Sequence, residues 1–317
     1  MNVLEYFAAP GAMTSPGHHA VLFESLPTEI GSLCRVIQGL MIHVHWLERY
    51  RAQLPKPRRD EVQLRSVAAK LARIAELDPS PLTEVRPIDR RLVGNCRDFS
   101  VMLTSILRYQ GIPARARCGF ACYFAPDHYE DHWVCEYWNA ELQRWITVDS
   151  QLDNLQRSVL AVGFDPLDVP RDQFLPGGEA WRLCRAGLAD PDKFGIFDMH
   201  GLWFVRGNLV RDVASLNKIE LLPWDCWGLV DAREEDLSAA DLALLDLAAE
   251  LTCGDVPEWE LVRQLYESDE RFRVPSVIRS YTDAGVQEVR LPELEPAGQG
   301  IFSISKMCIP STDVGNV

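Results

Sequence analysis

Across Gly111-Ile112-Pro113 the apolar spacing of the chain changes period, which commits this stretch to a helix followed by strands. Upstream, Phe99, Met102, Leu103, Ile106 and Leu107 recur at steps of three and four, predicting a helix that starts at Cys96 with Asn95 as its N-cap. Downstream, Ala114, Ala116, Cys118, Phe120, Cys122 and Phe124 alternate, predicting a strand with these residues on one face. After a break over 126–131, two further extended runs, 132–138 and 144–149, flank the polar turn 139–143 and read as a hairpin.

This stretch also carries a thiol, an imidazole and a carboxylate. Cys96 falls in the first helical turn, where free N–H groups and the positive dipole end favour a thiolate over a thiol. A cysteine of ordinary pKa ~8.5 drops to roughly 3.5–7.5 in such surroundings, most of all beside an imidazolium. The same N–H groups suit a developing oxyanion. With the turn centred between Ala140 and Glu141, Asn139 faces Leu142, and the ladder carried outward sets His132 directly opposite Asp149. Opposed residues share a face with Cβ atoms about 4.5–5.5 Å apart, whereas a slip of one residue would separate them. Nucleophile, base and orienting acid are the three groups that cysteine-based acyl transfer needs.

The runs G-N-C-R-D-F-S, G-I-P-A-R, D-H-W-V-C-E-Y-W and W-I-T-V-D-S together resemble the transglutaminase-like cysteine enzyme superfamily, over roughly residues 85 to 155. The resemblance implies an α+β fold with a papain-like core, the nucleophile helix packed on an antiparallel β-sheet. It implies Cys96 as nucleophile, His132 as base and Asp149 as orienting acid, in thioester chemistry on amides or peptides. The tyrosine-glycine-glutamine and tryptophan flanks of the calcium-dependent animal enzymes are absent, as is a calcium loop of alternating carboxylates, so calcium dependence is not expected. The second zinc-binding C-x-x-C pair of deglycosylating members and the arginine-glycine-glycine lead-in of arylamine acetyltransferases are missing too. In this family an upstream aromatic or glutamine often completes the oxyanion hole; Trp46 and Gln38 both qualify.

The chain has 317 residues, 47% apolar and 25% charged, enough for one large or two modest domains with a sizeable core. A net charge of −14 argues against nucleic acid or an anionic membrane as partner and leaves a peptide or small amide as the expected substrate. Residues 1–11 lack a basic start followed by a long apolar run, and no 18-residue apolar segment occurs, so a cytoplasmic protein is expected. Nine scattered cysteines suit a reducing compartment. The chemistry calls for no cofactor.

Three regions follow. Residues 1–79 form a helical N-terminal region of the core, with helical periodicity over 28–54 and 58–77; residues 80–160 form the catalytic core; residues 161–317 form a mixed C-terminal extension that could cover the cleft. Within the extension, helices are predicted over 238–251 and 257–268, and the last forty-odd residues read as irregular. The mixture of polar groups and aromatics from Asp198 to Asp225 reads either as a substrate-shaping wall or as an amphipathic helix with surface ion pairs and buried tryptophans. His200, Trp203 and Arg206, with Trp133 of the core, are the candidate substrate contacts.

No metal site is expected. His43 and His45, two apart on a predicted helix, cannot share a face and read as packed or surface residues. His128 and His132, flanked by Asp127, Glu130 and Asp131, straddle a loop-to-strand junction that breaks the i, i+4 presentation of zinc hydrolases. Cys118 and Cys122 share a strand face but lie about 13 Å apart, too far for a bridge, and read as core. A competing reading is a non-catalytic binding module that keeps the fold and offers its C-terminal region to a partner.

Overall fold

The structure is a computed structural model that describes residues 2–254, 257–282 and 284–291. Helix α1 (Val3–Ala8) is closed by a capping box between Asn2 and Glu5. Helix α2 (Ile30–Leu40) ends well short of the helix expected over 28–54, because Met41-Ile42-His43 leaves it as the buried strand β1 (Met41–His43). β1 pairs in parallel with β2 (Leu92–Gly94), setting His43 against Gly94. The periodicity over 58–77 is likewise divided: a 3-10 segment, Lys56–Gln63, precedes α3 (Val67–Leu77), which Ser66 starts afresh by accepting the Ala69 N–H at 3.2 Å.

Helix α4 (Cys96–Tyr109) is followed by β3 (Ala114–Ala121), β4 (Tyr129–Asn139) and β5 (Arg144–Val148), as the change of period requires. After α5 (Asn154–Val159), later segments return to the same sheet: β6 (Phe174–Pro176) pairs with β3, and β7 (Phe194–Ile196) and β8 (Met199–His200) form a hairpin whose first strand runs parallel to β4. The strand order is β6-β3-β4-β7-β8, with β5 also on β4. The sheet thus runs through residue 160 rather than stopping there.

In the β4–β5 hairpin Asn139 faces Arg144 and Cys135 faces Val148, two residues away from the expected register. The turn is longer than assumed: Asn139 Oδ1 accepts the N–H groups of Glu141 and Leu142, both at 2.9 Å, and Gln143 takes a left-handed conformation with φ 51°. An even shift keeps every side chain on its face.

Side chains of the sheet alternate between two cores. Ala114, Ala116, Cys118, Trp133, Cys135, Ile146 and Val148 pack with α2, α3 and α4. Trp145 belongs to the second core, with α1, α6 (Gly177–Arg185), α7 (Leu202–Leu216), α9 (Ala239–Thr252) and α10 (Trp259–Ser268). β9 (Asp225–Cys226) and α8 (Gly228–Asp231) precede α9. The tail expected to be irregular contains a hairpin, β10 (Val277–Thr282) and β11 (Gly285–Arg290), paired to β9; the rest of it, 292–317, lies outside the described residues. The fold is α+β, with α4 laid on a largely antiparallel sheet. Among the described residues no helix is long and apolar enough to cross a membrane.

Candidate active site

The start of α4 is anchored from beneath. Asp98 is fully buried and accepts the Asn95 N–H at 3.0 Å, Arg97 Nη1 at 2.9 Å and Lys70 Nζ at 3.0 Å, which ties α3 to the first turn of α4. Burial holds the Lys70 ammonium down at about 8 despite its partner Asp98. At Gly94 a Cβ would stand 2.7 Å from Met41 Cε and 3.1 Å from Asp98 Oδ2, so a larger residue there would make the Met41 and Asp98 side chains give way.

The opposite wall arises from an interruption in β4. Trp138 N–H donates to Pro113 O, so by alternation the even-numbered peptides of β4 face β3 and the odd-numbered ones face the other edge. On that other edge β5 covers Cys135 to Asn139 and β7 pairs with Tyr129 and Glu130. Among the described residues the edge between them has no strand partner, and there the Trp133 peptide N–H acts on the Cys96 sulfur, favouring its charged form. The thiol is thereby set against the peptide that follows His132.

His132 and Asp149, both buried, meet through Nε2 and Oδ2 at 2.9 Å. The diagonal offset left by the register shift is short enough for the bond. Tyr123 Oη donates to the same Oδ2 at 2.6 Å, and the Gln151 N–H to Oδ1 at 3.0 Å. Because a carboxylate accepts, Nε2 carries the imidazole proton and Nδ1 holds the lone pair. Phe124 packs edge-on to the imidazole, ring centroids 4.8 Å apart.

The thiol departs from expectation. Its pKa is raised well above the ordinary value by burial, and further by the Asp131 carboxylate, which outweighs the N–H groups of Trp133 and Arg97 that pull the other way. Only 8% of Cys96 is exposed. A first helical turn supplies donors, but here the surrounding apolar residues remove the water a thiolate would need, so the resting group is a thiol. Asp131 is itself pushed up by burial, and Asn208 Nδ2 donates to it at 2.8 Å.

Residues 59–150 match the family model of the transglutaminase-like superfamily. The chain carries a transglutaminase-like domain. The matched stretch runs from the 3-10 segment before α3 to the residue after Asp149, so it takes in α3 as well as α4 and the β3–β5 strands. No curated protein and no solved structure matches the chain.

Around this site the remaining candidates separate. Gln38 Nε2 donates to the Ser150 carbonyl at 3.1 Å and so steadies the segment that carries Asp149. Trp46 lies half-buried in a 3-10 turn, Val44–Trp46. The Trp133 indole is sealed in the core under α4, where no substrate reaches it; its backbone, not its ring, meets the sulfur. The Arg206 guanidinium is buried and donates to the Ala232 carbonyl inside the C-terminal layer. His200, 3.4 Å from Asp192, and Trp203 are exposed. The β7–β8 turn of the extension meets the N-terminal region at Phe197, which packs edge-on to His45 with centroids 5.0 Å apart. His43 and His45 are not helical: their rings lie 5.5 Å apart, one buried and one exposed. Cys118 is core, and Cys122 is half-buried on the Asp172 carbonyl. Among the described residues no three His, Cys, Asp or Glu side chains are grouped to hold a metal. Sequence reasoning missed Tyr123, Gln151 and Asp131; Tyr123 lies just past the end of β3, where periodicity carries no signal.

Proposed function

We propose that the protein is a cysteine-dependent acyl-transfer enzyme acting on amide or peptide carbonyls through a thioester. The observation that carries this reading is the His132 Nε2 to Asp149 Oδ2 contact at 2.9 Å, with Cys96 opening α4 and the peptide N–H of Trp133, the residue after His132, acting on its sulfur. Cys96 Sγ attacks the carbonyl carbon as its proton passes to His132 Nδ1. The tetrahedral intermediate collapses, the C–N bond breaks, and the same proton goes to the leaving amine. Water or an amine then attacks the thioester carbonyl, giving an acid or a new amide and returning the proton to sulfur. Asp149 accepts the Nε2–H and so fixes the tautomer. A thiol held protonated fits proton transfer during attack rather than a standing ion pair. Cys96→Ala is expected to abolish turnover of p-nitrophenyl acetate and of glutamine-containing peptides; turnover at the parent rate would rule the mechanism out.

A second reading, a binding module that keeps the fold, draws on that same raised thiol. It expects Cys96→Ala to leave the protein's partners and stability unaltered and no acyl-enzyme to accumulate. Mass spectrometry after mixing with p-nitrophenyl acetate separates the two: an adduct on Cys96 supports the enzyme, and its absence supports the module.

A further inference from the structure

β1 carries a histidine that takes no part in the proton transfers of the acyl transfer. His43 pairs with Gly94, two residues before Cys96, and its ring lies at 27° to that of Phe99 in α4, centroids 6.5 Å apart. The side chain is 6% exposed. Its Nδ1 accepts the His45 peptide N–H at 3.2 Å, which leaves the proton of the neutral ring on Nε2. Among the described residues Nε2–H has no acceptor. Burial, with His45 and His132 nearby, holds His43 well below the ordinary imidazole range. The ring is therefore a neutral donor, close enough to His132 for the charge of one to act on the other.

A cysteine acyl transfer develops negative charge on the carbonyl oxygen, which needs N–H donors already in place. One is the Cys96 peptide N–H, which the helix itself cannot use. Gln38 is engaged with Ser150. We propose that His43 supplies the second donor, its Nε2–H pointing at the oxyanion formed when Cys96 attacks. The assignment rests on Cys96 being the nucleophile. A neutral imidazole suits the place because a cation there would oppose protonation of His132 during the reaction.

The full-length protein with His43→Leu and with His43→Gln tests this against two probes. Acylation by p-nitrophenyl acetate passes through an oxyanion; alkylation by iodoacetamide uses the same sulfur without one. His43→Leu is expected to slow acylation by about 10²–10³-fold while alkylation stays at the parent rate, and His43→Gln, which restores an N–H, to recover most of the loss. Equal losses with both probes would overturn the proposal by showing that His43 serves the thiol or the fold. Undiminished acylation in His43→Leu would overturn it too and direct attention to Asn95 Nδ2, a buried donor without a partner among the described residues. Acylation that survives Cys96→Ala would instead defeat the underlying reading. Nitrogen-15 spectra of the unmodified protein give a check free of folding effects: His43 is expected as the Nε2–H tautomer from pH 5 to 8, and an imidazolium signal in that range would sink the assignment.

Discussion

Tyr123 and His132 donate to one oxygen of Asp149, at 2.6 and 2.9 Å, so the phenol and the imidazole compete for the same negative charge. Tyr123→Phe removes the shorter bond and leaves that charge to the imidazole. The acid limb of the pH–rate profile is expected to move to higher pH, and stability to fall by about 1–2 kcal/mol; a limb that moves to lower pH would contradict the shared-oxygen account. For Cys96, burial and Asp131 keep sulfur protonated through neutrality, so iodoacetamide labelling is expected to be slow at pH 6–7 and to climb steeply above pH 9. A plateau reached by pH 7 would show a low-pKa thiolate instead. Strand alternation made the shared face of His132 and Asp149 legible in the sequence. The thiol's protonation was not, because it depends on apolar neighbours from α2, β3 and the sheet that no local pattern brings together.

At the scale of elements, the free edge of β3 is finished by side chains. Arg108 Nε donates to Ala114 O at 2.9 Å, Ser215 Oγ donates to Ala116 O at 2.7 Å, Asp212 Oδ1 accepts the Cys118 N–H at 3.0 Å, and β6 takes over from Gly119. Asp212 and Ser215 belong to α7, one turn apart on one face, and with Asn208 they form a polar stripe in place of a neighbouring strand. Asp212 also grips Arg117, buried like itself, at 2.8 and 2.9 Å. Asp212→Ala would leave that cation buried with less charge to balance it, and a loss of about 3–5 kcal/mol is expected in urea unfolding; a loss below 1 kcal/mol would mean that Glu136 and the Thr252 carbonyl suffice. At Gly119 a Cβ would stand 2.1 Å from the Leu175 carbonyl oxygen, so Gly119→Ala is expected to detach β6 and expose its amides to hydrogen exchange, and unchanged protection of Leu175 would refute this. The sequence showed β3 as a strand but not which of its edges lay open. Polar residues on α7 read as ordinary surface because the strand they serve lies about ninety residues upstream.

For the whole molecule, buried titratable groups set how stability follows pH. Burial lowers Lys70 to about 8 and Lys218, over the Tyr6 ring at 4.0 Å, to about 7. Between those values and about 10.4 the unfolded chain holds protons that the fold has released, so these lysines make stability rise with pH. The buried thiols Cys34, Cys96, Cys118 and Cys135 are raised, Cys135 to about 12, and work in reverse. Above about 8.5 the unfolded chain loses protons that the fold retains, so stability falls. Denaturant midpoints are expected to climb from pH 7 to between 8 and 9 and then decline; a steady fall from pH 7 would show that the lysines stay charged. The sequence revealed a helix on strands at this scale, while the return of β6, β7 and β8 to the same sheet stayed hidden because pairing over such distances leaves no trace in local spacing.

The four-residue turn of the β4–β5 hairpin decides more than its own shape. A tight two-residue turn at Ala140 and Glu141 would advance β5 by one ladder step and lay Val148 against Trp133, so that backbone rather than sulfur would claim the Trp133 amide. Such a protein would keep its apolar pattern and both its cores, yet the Cys96 sulfur would have lost that neighbour. Loop geometry at the solvent-facing end of the sheet thus acts as a ruler for chemistry at the other end.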